Sequence, residues 1–294
     1  MRSHHALNIE SLAAAAVGVI VAVAIAPASG NEATAGGPAE LAVRVAPDRV
    51  APDCVINLVL IPAGEFRMGS SPAEPSRDPD EGPRHPVRLS KSFYLGKHEV
   101  TQALWTAVMG SNPAEFDRGP HAPQRPVECV SWDDCQTLIA RLNDRQTEGQ
   151  FRLPTEAEWE YACRAGSGAA YSWGPVTEPW RVNRRAWANS GSQAITHPVG
   201  EKPPNAWGLY DMHGGVWEWC ADRYGPYPSA APVTDPAGPP EGEDRVIRGG
   251  SWYDPPAALR SANRHRHEPE GRYTTIGVRL AFDRADSPEA RRLP

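Results

Sequence analysis

No stretch of this 294-residue chain reaches the roughly 20 consecutive apolar residues that carry a helix across a bilayer. The longest apolar run, Leu12 to Ala26, has 15. Also absent are a Gly-rich phosphate loop followed by lysine, a His-Glu-x-x-His pair, and the flanking glycine that a nucleophile elbow would need around Ser251. These absences argue against nucleotide hydrolysis, zincin proteolysis and α/β-hydrolase chemistry. Positive charge is short too: the net charge of −6 argues against general nucleic-acid binding. Cysteine is sparse, with five residues at 54, 129, 135, 163 and 220. Cys129 and Cys135 are six apart with no second pair nearby, which is no zinc spacing. An odd count leaves at least one thiol unpaired within a monomer.

Glycine and proline are abundant, 57 of 294 residues against a usual share of about 12%. So punctuated a chain cannot be mostly regular helix or sheet. Ten tryptophans compensate, each able to bury a large apolar area beneath long loops. The N-terminus reads as an address label. A short polar start, the apolar run and the small residues Ala26-Pro27-Ala28 resemble an export signal with cleavage near Ala28. Residues 1–28 are therefore expected to be a signal peptide, 29–53 a linker, 54–283 one domain and 284–294 a tail, on a periplasmic or secreted protein.

Within the domain, Val55 to Pro62 and Gly64 to Gly69 read as two strands joined by a Pro-Ala-Gly turn. Pro72 to Pro86 reads as an exposed loop and Val87 to Leu95 as a strand. Three helices carry start signals. Thr101 can cap the first, which Gly110 ends. Ser131 caps the second, whose apolar stripe includes Cys135, a core thiol on this reading. Thr155 with Glu158 makes a capping box for the third, closed by Gly166. Two full helices, a short one and many brief strands predict an α+β domain. Between Arg245 and Arg284 lie eight arginines against four acids, expected to pair with carboxylates elsewhere in the fold. Arg264-His265-Arg266-His267 lacks a third ligand for a metal and reads as exposed or carboxylate-paired.

Two carboxylates, Asp211 and Glu218, flank Gly214-Gly215, where the backbone can fold sharply and turn carbonyls inward. Such a mixed oxygen set suits calcium. The alternative is that Glu218, wedged between two tryptophans, pairs with an arginine, because a buried carboxylate needs a partner. Arg248-Gly-Gly-Ser-Trp252 presents a hydroxyl beside a large apolar face.

Together with Arg152-Leu-Pro-Thr-Glu-Ala-Glu-Trp-Glu160 and Gly208-Leu-Tyr-Asp-Met-His-Gly-Gly-Val-Trp-Glu-Trp219, that stretch resembles the formylglycine-generating enzyme (sulfatase-modifying factor) family over Leu60 to Phe282. The resemblance implies a loop-rich fold like that of C-type lectins, with N- and C-terminal strands (Val55 to Ile61, Ile276 to Phe282) paired. It implies a structural calcium on Asp211, Gly214, Val216 and Glu218, and a cleft formed by Trp217, Ser251, Trp252, Asp254 and Arg260. It also implies two redox cysteines after Trp252 that bind copper(I). This chain has Tyr253-Asp-Pro-Pro-Ala-Ala-Leu259 there, without a thiol, so copper is not expected. The family's disulfide from Cys163 to that segment has no partner either. Three functions follow from the resemblance: a divergent oxidase-like tailoring enzyme acting on a protein or peptide-like substrate, a non-catalytic ligand- or peptide-binding module, or a true formylglycine oxidase.

Overall fold

In the computed structural model, residues 19–24, 39–47, 55–144, 149–175, 178–228 and 230–285 are described. The cleavage pattern at Ala26–Ala28, Cys54 and the tail beyond residue 285 lie outside them.

In chain order the strands are β1 (Val19–Ala24), β2 (Glu40–Pro47), β3 (Val55–Ile61), β4 (Gly64–Met68), β5 (His85–Leu89) and β6 (Phe93–Gly96). After helices α1 (Gln102–Met109) and α2 (Trp132–Asn143) come β7 (Gly149–Arg152), α3 (Glu156–Arg164) and the single turn α4 (Pro179–Val182). The C-terminal half adds β8 (Trp217–Arg223), β9 (Val233–Thr234), β10 (Arg245–Arg248), β11 (Arg264–His267), β12 (Ile276–Gly277) and β13 (Ala281–Arg284). Three small sheets result, ordered β1-β2-β3-β6-β13-β7, β11-β10-β8-β12 and β4-β5-β9. Among the described residues no helix is long and apolar enough to cross a membrane.

Helix starts follow the side-chain signals. Thr101, Ser131 and Thr155 each accept a backbone N–H of the first turn, and Ser131 and Thr155 complete capping boxes with Asp134 and Glu158. Gly110 takes the left-handed conformation that ends α1, while α3 already turns at Ala165, one residue before Gly166. Cys135 is fully buried on the α2 stripe beside Leu138 and Leu142.

The strands depart from expectation at several points. β3 and β4 are not a hairpin: they separate into different sheets, β3 against β6 and β4 against β5. The expected strand Val87 to Leu95 is two, broken at Ser90–Ser92. The N- and C-terminal strands share a sheet but do not pair; β6 lies between β3 and β13. Within the stretch read as a linker, Glu40–Pro47 is a strand, because Leu41 and Val43 alternate inward and bury against the core. Val19–Ala24, part of the run read as an export signal, pairs with it.

Candidate functional site

The turn after β10 sets the site. Gly249 and Gly250 adopt φ of 106° and 74°, and a side chain on Gly250 would meet Leu259 at 2.8 Å. This path sinks Ser251 into the fold, fully buried. Its hydroxyl and its backbone N–H both donate to Asp254 Oδ2, and so does Trp217 Nε1 at 2.9 Å. One carboxylate oxygen thus clamps the start of β8 to the turn. Trp252 Nε1 donates to the Thr274 carbonyl at 2.9 Å, and its ring meets Phe116 edge-on at 5.2 Å. Tyr253 stands out at 68% exposure with its ring 5.5 Å from Trp252. His265 lies 5.9 Å from Trp217 and stacks on His267, which adjoins Tyr273. The result is an aromatic cluster in which Trp217 and Trp252 are buried and Tyr253 stands outward.

Leu259 is buried against Tyr171 and Val182. Beneath it, His213 Nδ1 donates to the Leu259 carbonyl at 2.7 Å, so Nε2 is left to accept from Ser172 N at 3.2 Å. Burial holds His213 down at about 4, a neutral ring. Cys163 Sγ sits 3.6 Å from that Nε2, yet burial pushes its thiol up to about 12. Burial pushes Cys129 up to about 12 and raises Cys135 and Cys220 as well. These four cysteines are free thiols whose burial disfavours the thiolate.

The carboxylates expected to hold calcium are arranged otherwise. Both oxygens of Glu218 accept from Arg279, with Nη2 at 2.7 Å and Nε at 3.0 Å, and Oε2 also accepts Trp159 Nε1 at 2.6 Å. Arg279 is wholly buried and donates onward to the carbonyls of Gly96 and Tyr210. Asp211 Oδ2 accepts Gly200 N, while Oδ1 is buried without a partner. Glu99 completes the group, its Oε1 accepting Val216 N at 2.9 Å. Burial and the charges of Asp211 and Glu218 push Glu99 up, and burial lifts Asp211 to about 6. A guanidinium is therefore the partner of Glu218. Of the set expected to hold calcium, Glu218 is thus paired with Arg279, while Asp211 keeps one buried oxygen without a partner. The pairing weighed against calcium in the sequence is the one the fold makes. Arg279 and Glu99 were missed. The signal for Arg279 was a lone charge within Ile276-Gly-Val-Arg-Leu-Ala-Phe282, since a charge buried in an apolar run needs a partner.

Arg260 does not join the aromatic cluster. It is buried, gripping Glu81 and Glu74 and the Ser76 carbonyl, so it pins down the loop expected to be free between Pro72 and Pro86. Two other arginines of the C-terminal excess behave alike: Arg248 pairs with Glu160, and Arg264 with Glu156. His265 and Arg266 on β11 are exposed.

Residues 46–284 match the sulfatase-modifying factor enzyme 1-like domain. The chain belongs to that family. Relatives in it include the formylglycine-generating enzyme of Streptomyces coelicolor, 32% identical over 76% of this chain and 88% of its own length. The chaperone protein LppX of Paenibacillus barcinonensis is 33% identical over 67% and 78%. Among solved structures, Treponema denticola variable protein 1 superposes with a TM-score of 0.72 at 28% identity, covering 83% of this chain and 99% of its own. PvdO of Pseudomonas aeruginosa does so at 0.68 and 34%, covering 78% and 95%. The loop-rich, lectin-like fold of the sulfatase-modifying factor domain is thus that of this chain as well.

Proposed function

We propose that the protein is an exported member of the sulfatase-modifying factor family that binds a protein or peptide-like ligand and does not oxidise cysteine. One observation carries this reading. Asp254 and Leu259 stand in the segment where the resemblance puts two thiols, and both are committed to the fold, Asp254 to Trp217 and Ser251, Leu259 to the core. Aromatic edges with an exposed tyrosine remain, chemistry suited to holding a ligand. A divergent tailoring enzyme is the competing reading. It is disfavoured because the Ser251 hydroxyl is held by Asp254 and burial raises the described thiols well above their ordinary range.

The test has two arms. Copper(I)-loaded protein incubated with a Cys-x-Pro-x-Arg peptide in air should leave the peptide mass unchanged; conversion of its thiol to an aldehyde would overturn the reading. Peptides selected from a displayed random library against the full chain should lose capture on Tyr253→Ala and keep it on Trp180→Ala, an exposed tryptophan elsewhere. Equal loss on both would move the binding face away from Tyr253.

A further inference from the structure

A second cavity opens at the far end of β8. That strand starts at Trp217 by the aromatic cluster and runs past Asp222, five residues and roughly 17 Å along, at about 3.3 Å per residue. There a cavity of about 370 Å³ is walled by Met68, Ala157, Tyr227, Pro228, Pro236 and Pro239. It has room for about a dozen waters at roughly 30 Å³ each, or for a ligand of one ring and a short chain.

The polar groups in this wall are unbalanced in a particular way. The side-chain donors are spent. Arg264 places Nε and Nη2 on the two oxygens of Glu156, and Nη1 on the carbonyls of Asp80 and Gly225. Tyr227 Oη donates to Glu156 at 3.4 Å. His85 is buried and gives its Nδ1 hydrogen to the Pro83 carbonyl at 2.9 Å, which leaves Nε2 as an acceptor. Asp222, only 4% exposed, accepts Glu156 N with Oδ2 at 2.8 Å. Its Oδ1 faces Gly238 in the cavity wall, where an added Cβ would come within 3.2 Å, and it takes no hydrogen bond from the described residues. Arg264 and Glu156 cancel, so a buried carboxylate with one oxygen unpaired among the described residues sets the charge of an otherwise apolar space.

We propose that this cavity is a binding site for a ligand with an apolar body and an ammonium group, the ammonium donating to Asp222. An anion would meet the carboxylates of Asp222 and Glu156, with the side-chain donors of Arg264, Tyr227 and His85 already spent. A purely apolar ligand would leave the carboxylate desolvated and unpaired. The groups facing Asp222 are Glu156 and Glu158 of α3, Arg264 of β11 and His85 of β5. Burial first, then the charges of Glu156 and Glu158, lift its carboxyl to about 7, while Arg264 pulls it down. An ammonium partner favours the ionised form, so the site should strengthen as pH rises through that range.

Calorimetric titration of the full chain with 2-phenylethylamine, 2-phenylethanol and phenylacetate tests the site. At pH 8 the amine should bind at least tenfold more tightly than phenylacetate, and it should weaken several-fold at pH 5.5. Asp222→Asn should erase the preference for the amine. Ala237→Trp, on the exposed rim, should block the cavity while leaving the melting temperature unchanged, which keeps the test valid if the Asp222 variant folds poorly. Phe-Gly-Gly and its N-acetylated form separate two sources of the same chemistry. Binding of the free tripeptide as well as the amine would indicate a polypeptide N-terminus; binding of the amine alone would indicate a small amine. Equal affinity for phenylacetate, survival of amine binding in both variants, or no amine binding at millimolar concentration would each overturn the proposal.

Discussion

Arg279 decides what the carboxylates around it can do. It lies at 0% exposure with Glu218 on its Nε and Nη2 and with Glu99 and Asp211 close enough to feel its charge. A buried pair of this kind contributes little net stability when whole, yet losing one partner leaves a bare charge away from water. Arg279→Leu should therefore lower unfolding free energy by about 3–5 kcal/mol in urea titrations, provided that the variant still folds. The same geometry predicts that millimolar calcium leaves the melting temperature of the wild-type chain where a chelator leaves it. A ligand that binds only the folded state must raise its stability by mass action, so a rise with calcium would show an ion joining or displacing Arg279. Residue chemistry of this sort was half legible in the sequence. That Glu218 needed a partner followed from its tryptophan neighbours. That the partner was Arg279, 61 residues on, did not, because nothing local in a sequence tells one buried charge which other it will meet.

At the scale of elements, the parts read correctly were those fixed by neighbours along the chain. Capping is a contact three residues long, so Thr155 and Glu158 marked the start of α3 before any tertiary structure was known. Thr155→Ala should cost about 1 kcal/mol, with the change visible in the urea midpoint and not in the slope of the transition. A loss well beyond 2 kcal/mol would mean that α3 does more through this residue than begin. Strand partners are another matter. β3 and β4 are separated only by Pro62 and Ala63, the spacing of a hairpin, yet β4 pairs with β5 across the loop from Met68 to His85, and β3 with β6 beyond it. Pairing is chosen by which faces can be buried together, a property of the whole fold. For the same reason β2 hid inside an Ala- and Pro-rich stretch whose alternation of Leu41 and Val43 is only two residues deep. The aromatic cluster was visible as a motif, Trp217 and Trp252 both named, but Phe116 and Tyr273 come to it from loops with no signature of their own.

Across the whole molecule, buried groups titrating against their neighbours set how stability follows pH, and they oppose one another. Burial holds His98 and His213 at about 4, below the ordinary histidine value of about 6.5. Their folded forms refuse a proton that the unfolded chain accepts, so the stability present above pH 6.5 is lost as pH falls toward 4. Asp222 and Asp211 work the other way. Their carboxyls are raised to about 7 and about 6, so the folded state keeps a proton that the unfolded chain gives up near pH 4, and stability is lost as pH rises from there to 7. The wild-type chain should consequently show a shallow profile between pH 5 and 7, with no single group visible. Substitution separates the contributions. Asp222→Asn keeps an oxygen for the Glu156 N–H but cannot ionise, so its stability relative to wild type should improve from pH 5 to pH 8, by an amount on the order of a few kcal/mol at most. Urea unfolding of both proteins at the two pH values measures that difference directly. An offset that is the same at pH 5 and pH 8 would mean that Asp222 titrates normally in the fold, and that its free oxygen sees more water than its burial implies.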